Sequence, residues 1–169
     1  AEIDKRTARV TSLKAKFIQR KRSPLLKRPI ESSGTVIVKG DRLRWDTLKP
    51  ELSILTVDSA TIRIYYPAAK TLEIHAAAGD LRLISGTPLP RLSDLKAQFT
   101  FQEVDLASLG AAADAKDMLA LELKPIKAEL QSHLTSVHVL INTRLPCVQR
   151  LVIADQDQET TEIEFTDVQ

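Results

Sequence analysis

The sequence predicts a mainly β protein with short helices (α+β), in which about ten antiparallel strands curl into a barrel or half-barrel. Three observations support this fold class. Short strands recur in the first half, strands return in the last third, and a mid-chain stretch has helical periodicity instead. A chain of 169 residues is expected to form a single domain, covering residues 1–169.

The N-terminal residues change from helical to strand periodicity. Residues 2–11 are rich in helix formers and predict a short amphipathic helix. From Leu13 to Phe17, apolar residues alternate with lysines, which indicates a half-buried strand. Pro24 and Pro29 then bracket a loop, because neither residue can donate a hydrogen bond to a strand ladder.

Strands and turns follow in quick succession and predict an antiparallel meander. Alternation places Leu43 and Trp45 on one side of their strand and Arg42 and Arg44 on the other. The predicted strands of the meander are Thr35–Val38, Leu43–Trp45, Ser53–Val57, Thr61–Tyr66 and Thr71–His75.

The middle of the chain has a different pattern. Two apolar clusters with helical spacing, split by Gly86, Pro88 and Pro90, predict short helices that lie on the sheet. The first cluster consists of Leu81, Leu83 and Ile84, and the second of Leu92 and Leu95. Strands are again predicted at Phe99–Val104, Met118–Leu123, Val137–Ile141, Val148–Ala154 and Thr160–Thr166.

Charge is distributed unevenly along the chain. Residues 1–50 contain 14 Lys and Arg against 5 Asp and Glu, whereas residues 51–169 contain 10 against 17. The basic excess indicates either a solvated strand face with a loop, or contact with an acidic partner or an anionic membrane surface. Nucleic acid is disfavoured as a partner, because no aromatic residues are interleaved with these charges. No apolar run approaches the ~20 residues of a transmembrane helix.

Catalytic and metal-binding motifs are weak, so the sequence predicts neither an enzyme nor a protein with a metal or cofactor. His75, His133, His138 and Cys147 lack the matched spacing of metal sites. No nucleophile-elbow or nucleotide-binding motif occurs. The acidic segment 155–159 lacks the length and the glycine of a calcium loop.

An ordered series of short segments resembles the LolA family of outer-membrane lipoprotein carriers. In the N-terminal half the segments are Val10–Gln19, Ser33–Val36, Leu43–Asp46, Lys49–Glu51, Leu55–Ser59 and Ile64–Pro67. Nearer the C-terminus, Leu145-Pro146, Arg150–Asp155 and Thr161–Val168 are similar to the closing hairpin of the family. Together these segments cover most of the chain in the family's order.

The resemblance implies a half-open antiparallel β-barrel of about ten or eleven strands, which a lid of short helices closes over an apolar cavity. The predicted lipid-binding cavity is lined by Phe17, Leu43, Trp45, Leu55, Ile62, Ile64, Tyr66 and Leu72. The predicted lid carries Leu81, Leu83, Ile84, Leu92 and Leu95.

Proteins of this family ferry acylated lipoproteins across the periplasm, from an inner-membrane LolCDE-type transporter to an outer-membrane LolB-type receptor. The resemblance therefore implies a periplasmic carrier of lipoproteins or another lipid, with its signal peptide removed, and we expect a monomer. The receptor has an N-terminal lipidated cysteine, and this chain has no cysteine near its start. Two alternatives stay open: a lipid- or lipoprotein-sensing module with the same fold and no transport role, and an enzyme on lipid substrates.

One departure from the family concerns how the lid is held. The family commonly has an Arg-Pro pair before the tryptophan strand, and that arginine is thought to keep the lid shut. Gly40-Asp41 stands in its place here. Arg42 and Arg44 should point away from the cavity, because strand side chains alternate. We therefore expect neither arginine to replace the latch, and we expect the lid to close mainly by apolar contact.

Overall fold

Eleven antiparallel strands form one open sheet in the computed structural model, which describes residues 2–76, 87–89 and 92–169. The strands run in the spatial order β6-β5-β4-β3-β2-β1-β11-β10-β9-β8-β7, so among the described residues β6 and β7 are the edges of the sheet and the barrel is not closed. This confirms the predicted fold class and strand number. The strands are β1 Ser12–Arg22, β2 Ile30–Lys39, β3 Arg42–Lys49, β4 Ser53–Val57, β5 Thr61–Tyr66, β6 Thr71–Ala76, β7 Phe99–Glu103, β8 Met118–Pro125, β9 Leu134–Asn142, β10 Cys147–Asp155 and β11 Thr160–Thr166.

Three short α-helices accompany the sheet in the described part of the chain: α1 Glu2–Thr7, α2 Leu92–Leu95 and α3 Ala128–Gln131. A single 3₁₀ turn covers Leu106–Leu109. The N-terminal helix is shorter than the predicted range 2–11, and α3 was not predicted. No helix of the described residues is long and apolar enough to cross a membrane. The predicted lid residues Leu81, Leu83 and Ile84 lie outside the described residues.

The centre of the sheet joins the two ends of the chain, because β1 pairs with both β2 and β11. Basic residues on both faces of β1 therefore lie beside acidic residues near the C-terminus. Lys16 Nζ is 2.8 Å from Asp167 Oδ2, and Lys21 Nζ is 3.4 Å from Glu159 Oε2. Arg20 contacts Glu31, Glu162 and Glu164 at 3.1 to 3.8 Å. Three basic residues of β1, namely Lys16, Arg20 and Lys21, are thus paired with acidic residues near the C-terminus.

The main apolar core covers one face of the sheet, which we call the inner face. Alternation along β1 buries Leu13, Ala15 and Phe17 there, with Val38, Val36 and Gly34 directly opposite on β2. The mid-chain segment is anchored to this face, because Leu89 is buried in the core and the backbone N–H of Val148 donates to the Pro88 carbonyl at 2.7 Å. The remaining buried residues of this core are Phe99, Leu121, Leu123, Leu134, Val137, Val139, Ile141, Cys147, Val148, Leu151, Ile163 and Phe165.

A second, smaller cluster covers the opposite, outer face. Leu109, from the 3₁₀ turn, packs there with Ala120 and Leu140. Arg150 secures this turn, because its guanidinium donates to the Leu109 carbonyl at 3.1 Å and to Glu162 Oε1 at 2.6 Å. The turn was not predicted as an outer-face element, since its small residues show no clear period.

Candidate functional site

Three aromatic rings lie at the centre of the inner face. Phe17 and Trp45 stack with their ring centroids 3.9 Å apart, and the rings of Trp45 and Phe165 are nearly perpendicular with their centroids 6.0 Å apart. On the intervening strand β2, Gly34 lies opposite Phe17, and Val36 lies opposite Trp45. Phe17 and Phe165 are buried, whereas Trp45 is only half-buried. The ring of Trp45 therefore marks where the packed core gives way to a more accessible surface.

The sheet register brings seven of the eight predicted cavity residues onto the inner face. Leu43 lies opposite Val57, which lies opposite Ile62, and a parallel row runs through Trp45, Leu55 and Ile64. Tyr66 packs against the same apolar cluster from the end of β5. The seven are Phe17, Leu43, Trp45, Leu55, Ile62, Ile64 and Tyr66. We call the part on β3–β5, namely Leu43, Trp45, Leu55, Ile62, Ile64 and Tyr66, the apolar strip.

Leu72 does not belong to this surface. It lies directly opposite Tyr65 on the outer face and is 54% exposed. The turn after β5 pairs Tyr66 with Thr71, so the inward positions of β6 are occupied by Glu73 and His75, which lie opposite Ile64 and Ile62. Their side chains are 3.3 Å apart and exposed. The apolar surface therefore ends at β5 with a polar border on β6.

The inner face has two regions of different character. Around β1 and β8–β11 the side chains are buried beneath α1, the 88–89 segment and α2. On the apolar strip, by contrast, Leu43, Trp45, Leu55 and Tyr66 stay half-buried, although Ile62 and Ile64 are buried. The prediction omitted Val36, Val38 and Phe165, which adjoin the strip across the sheet. Alternation along their strands was the signal that could have found them.

The described part of the predicted lid packs on the inner core. Leu92 and Leu95 are partly buried against it. The backbone N–H of Ser93 donates to Asp4 Oδ1 at 3.1 Å, which ties α2 to α1. The pKa of the Asp4 carboxyl is lowered: partial burial acts to raise it, but hydrogen bonds, including the one from Ser93, outweigh that effect.

The two arginines near the expected latch position face outward, as predicted. Arg44 lies opposite Ile37 and Thr56 on the outer face, and its Nε donates to Asp46 Oδ1 at 2.8 Å. Arg42 lies opposite Lys39 on the same face. Neither guanidinium can reach a ligand on the inner face without a reversal of the strand register.

We expect Arg42→Leu and Arg44→Leu to leave lipid affinity and release within a few-fold of the parent. The physical reason is that both side chains lie across the sheet from the apolar strip. Release rates of an acylated peptide, measured by stopped-flow fluorescence of Trp45, check this. A tenfold change in a variant that keeps its thermal stability would contradict the outward assignment, because a lost latch bond to a charged group is worth roughly 1.5–3 kcal/mol.

The apolar strip consists of aliphatic and aromatic side chains. Within residues 2–76, 87–89 and 92–169, no group of three or more His, Cys, Asp or Glu side chains is arranged to hold a metal ion. Burial raises the pKa of the Cys147 thiol in the main core. What this arrangement offers a ligand is apolar area, aromatic faces and a polar edge.

Comparison with known proteins identifies relatives of the whole chain. The sequence profile of the family described as outer membrane lipoprotein carrier protein LolA matches residues 8–169. No curated protein matches the chain significantly in sequence.

Solved structures show the same fold at low sequence identity. A LolA superfamily protein from Nitrosomonas europaea is 11% identical, with a TM-score of 0.51 over 99% of this chain and 90% of its own. An uncharacterized conserved protein from Thermus thermophilus is 14% identical, with a TM-score of 0.57 over 99% and 82%. A chain of the Pseudomonas aeruginosa MucA/MucB complex is 12% identical, with a TM-score of 0.51 over 100% and 57%. At these identities the likeness concerns the fold alone.

Proposed function

Because this chain belongs to the LolA family, we propose that it is a non-catalytic periplasmic carrier for the acyl chains of lipoproteins or a related lipid. In this proposal the apolar strip shields the chains from water while the cargo passes from the inner to the outer membrane. The observation that carries the proposal is the group of half-buried apolar side chains beside the buried core of the inner face, namely Leu43, Trp45, Leu55 and Tyr66.

The energetics explain why a carrier needs such a surface. Burial of an acyl chain is worth about 0.8 kcal/mol per methylene group. Two or three chains of roughly fifteen carbons each therefore gain on the order of 25–35 kcal/mol when they enter a membrane. Transfer through water without a compensating apolar surface is therefore prohibitively slow. An open sheet suits the task, because among the described residues its edges β6 and β7 are not hydrogen-bonded to each other and the inner face is not sealed by barrel closure.

The partners that we propose are those implied by membership of the family. We propose that the cargo arrives from an inner-membrane transporter of the LolCDE type and leaves to an outer-membrane receptor of the LolB type. The outward position of Arg42 and Arg44 supports release by loss of apolar contact, without a charged latch.

A sensing or binding module without a transport role is the second candidate. The fold likeness to a chain of the MucA/MucB complex supports it, because that structure is a complex between proteins. Bound lipid is expected in both cases. Transfer of a fluorescent acylated peptide between two membrane populations is expected only of the carrier.

Trp45 gives a direct test of ligand binding, since it is the only tryptophan and borders the apolar strip. We expect saturation with a diacylated peptide to shift its emission and to lower its quenching by acrylamide several-fold. The peptide without its acyl chains is the control. Unchanged access of the quencher at saturating ligand would show that the acyl chains do not bind beside Trp45.

A further inference from the structure

The loop between β1 and β2 exposes an unusually apolar tip. Leu25 is 93% exposed, Leu26 39% and Ile30 53%, although all three are large aliphatic side chains. Arg22, Lys27 and Arg28 lie within three residues of Leu25. The loop therefore combines exposed aliphatic side chains with basic residues that are close in sequence.

The neighbouring loop repeats this composition at the same end of the sheet. Because the strands are antiparallel, the end of β3 and the start of β4 lie beside the start of β2. Leu48 there is 54% exposed and Leu52 is 42% exposed, and Lys49 lies between them. We call these two loops with the adjoining strand ends, residues 22–30 and 48–52, the leucine rim. Single exposed leucines are ordinary in proteins, whereas here five exposed aliphatic residues lie in two adjacent segments at one end of the sheet.

The charges of the leucine rim are predominantly positive and available. Arg22, Lys27, Arg28 and Lys49 are all exposed, and among the described residues none of them has an acidic side chain within ion-pair distance. The acidic residues of the rim are Glu31, beside the first loop, and Glu51 in the second. Glu31 is already engaged by Arg20 at 3.1 Å. An anionic surface would therefore meet uncompensated cations around the leucines.

We propose that the leucine rim docks on an anionic phospholipid bilayer, with Leu25 inserted among the acyl chains and the surrounding cations at the headgroups. Aliphatic side chains favour the hydrocarbon, and Lys and Arg extend their charges back to the interface. A protein partner suits the rim less well, because protein interfaces are enriched in aromatic residues and this rim has none. The inference goes beyond the carrier proposal and does not depend on lipid in the apolar strip.

Co-flotation of the full chain with vesicles tests the proposal. We expect binding to vesicles of phosphatidylethanolamine with phosphatidylglycerol, weakening as salt rises, and little binding to phosphatidylcholine alone. Leu25→Asp should lower the partition coefficient at least tenfold. Lys27→Gln with Arg28→Gln should lower it about 25-fold, at about 1 kcal/mol for each cation near the surface.

The opposite end of the sheet offers matched controls. Leu145, in the turn between β9 and β10, is 66% exposed, and Lys39 and Arg42 flank the Gly40 turn. Leu145→Asp, and Lys39→Gln with Arg42→Gln, should leave vesicle binding within twofold of the parent. An environment-sensitive fluorophore on Leu25→Cys should shift to the blue on vesicles, and the same label on Leu145→Cys should not. Selective labelling is feasible because Cys147 is buried.

Three outcomes would overturn the proposal: no binding of the parent to anionic vesicles, equal loss in the rim and control variants, or an unshifted label at residue 25. If the parent does not bind anionic vesicles, the leucine rim would be assigned to an acidic protein partner in place of a membrane. Lipid in the apolar strip is measured separately by Trp45 emission with acylated peptide, so failure of docking and failure of the carrier proposal give different results.

Discussion

Gly34→Ala is expected to destabilise the protein by about 3 kcal/mol or more, a large loss for one methyl group. Gly34 is buried at a register shift between β2 and β3. A Cβ at this position would overlap the carbonyl oxygen of Asp46 and crowd Thr47. These are backbone atoms that no rotamer change can move aside. The melting temperature should fall by roughly 6–12 °C for a chain of this size.

Gly40→Ala is the matched control for that substitution. Gly40 has a φ of +60°, and a methyl group there would meet no atom within 4 Å, so only backbone conformation opposes the change. A left-handed residue other than glycine costs roughly 1–2 kcal/mol. If thermal unfolding showed the same loss for both variants, steric overlap with β3 would not be the reason that Gly34→Ala is destabilising.

Leu55→Asp is expected to lower the affinity for acylated peptide at least a hundredfold, the largest effect on ligand binding that we predict. Leu55 lies between Trp45 and Ile64 in the centre of the apolar strip. A bound acyl chain would bury the new carboxylate without a partner, at a cost of about 3 kcal/mol or more. Titration of Trp45 fluorescence measures the change.

Thr56→Asp provides the control on the adjacent residue, with the same charge on the outer face. Thr56 lies opposite Arg44 and Arg63, so a carboxylate is compatible with its surroundings. Its affinity should stay within twofold of the parent. Should Leu55→Asp fail to fold, Leu55→Gln replaces it, with an expected loss of about tenfold. Equal affinities for the inner-face and outer-face variants would place the lipid elsewhere.

Local sequence patterns were sufficient to find the strands. Alternation from Leu13 to Phe17 and around Trp45 reflects half-buried strands, and this signal needs no knowledge of which strands pair. The outward orientation of Arg42 and Arg44 follows from the same alternation once Leu43 is assigned to the inner face.

The register of neighbouring strands, and the pairing of strands that are distant in sequence, could not be predicted from local sequence patterns. The face of Leu72 depends on how the turn 67–70 pairs Tyr66 with Thr71, and a shift of one residue reverses every side chain of β6. The pairing of β1 with β11 joins strands from opposite ends of the chain, and no local pattern shows which distant strand lies beside β1. The 3₁₀ turn on the outer face is held by Arg150, a contact that no local pattern indicates.

Native mass spectrometry of the protein purified from the envelope of its own host tests the central claim most directly. The claim is that the inner face, and the apolar strip in particular, holds acyl chains. We predict a population of protein with a bound lipoprotein or diacyl lipid, which persists in Thr56→Asp and is lost in Leu55→Asp. A bare chain in every preparation, or equal lipid in both variants, would contradict the claim.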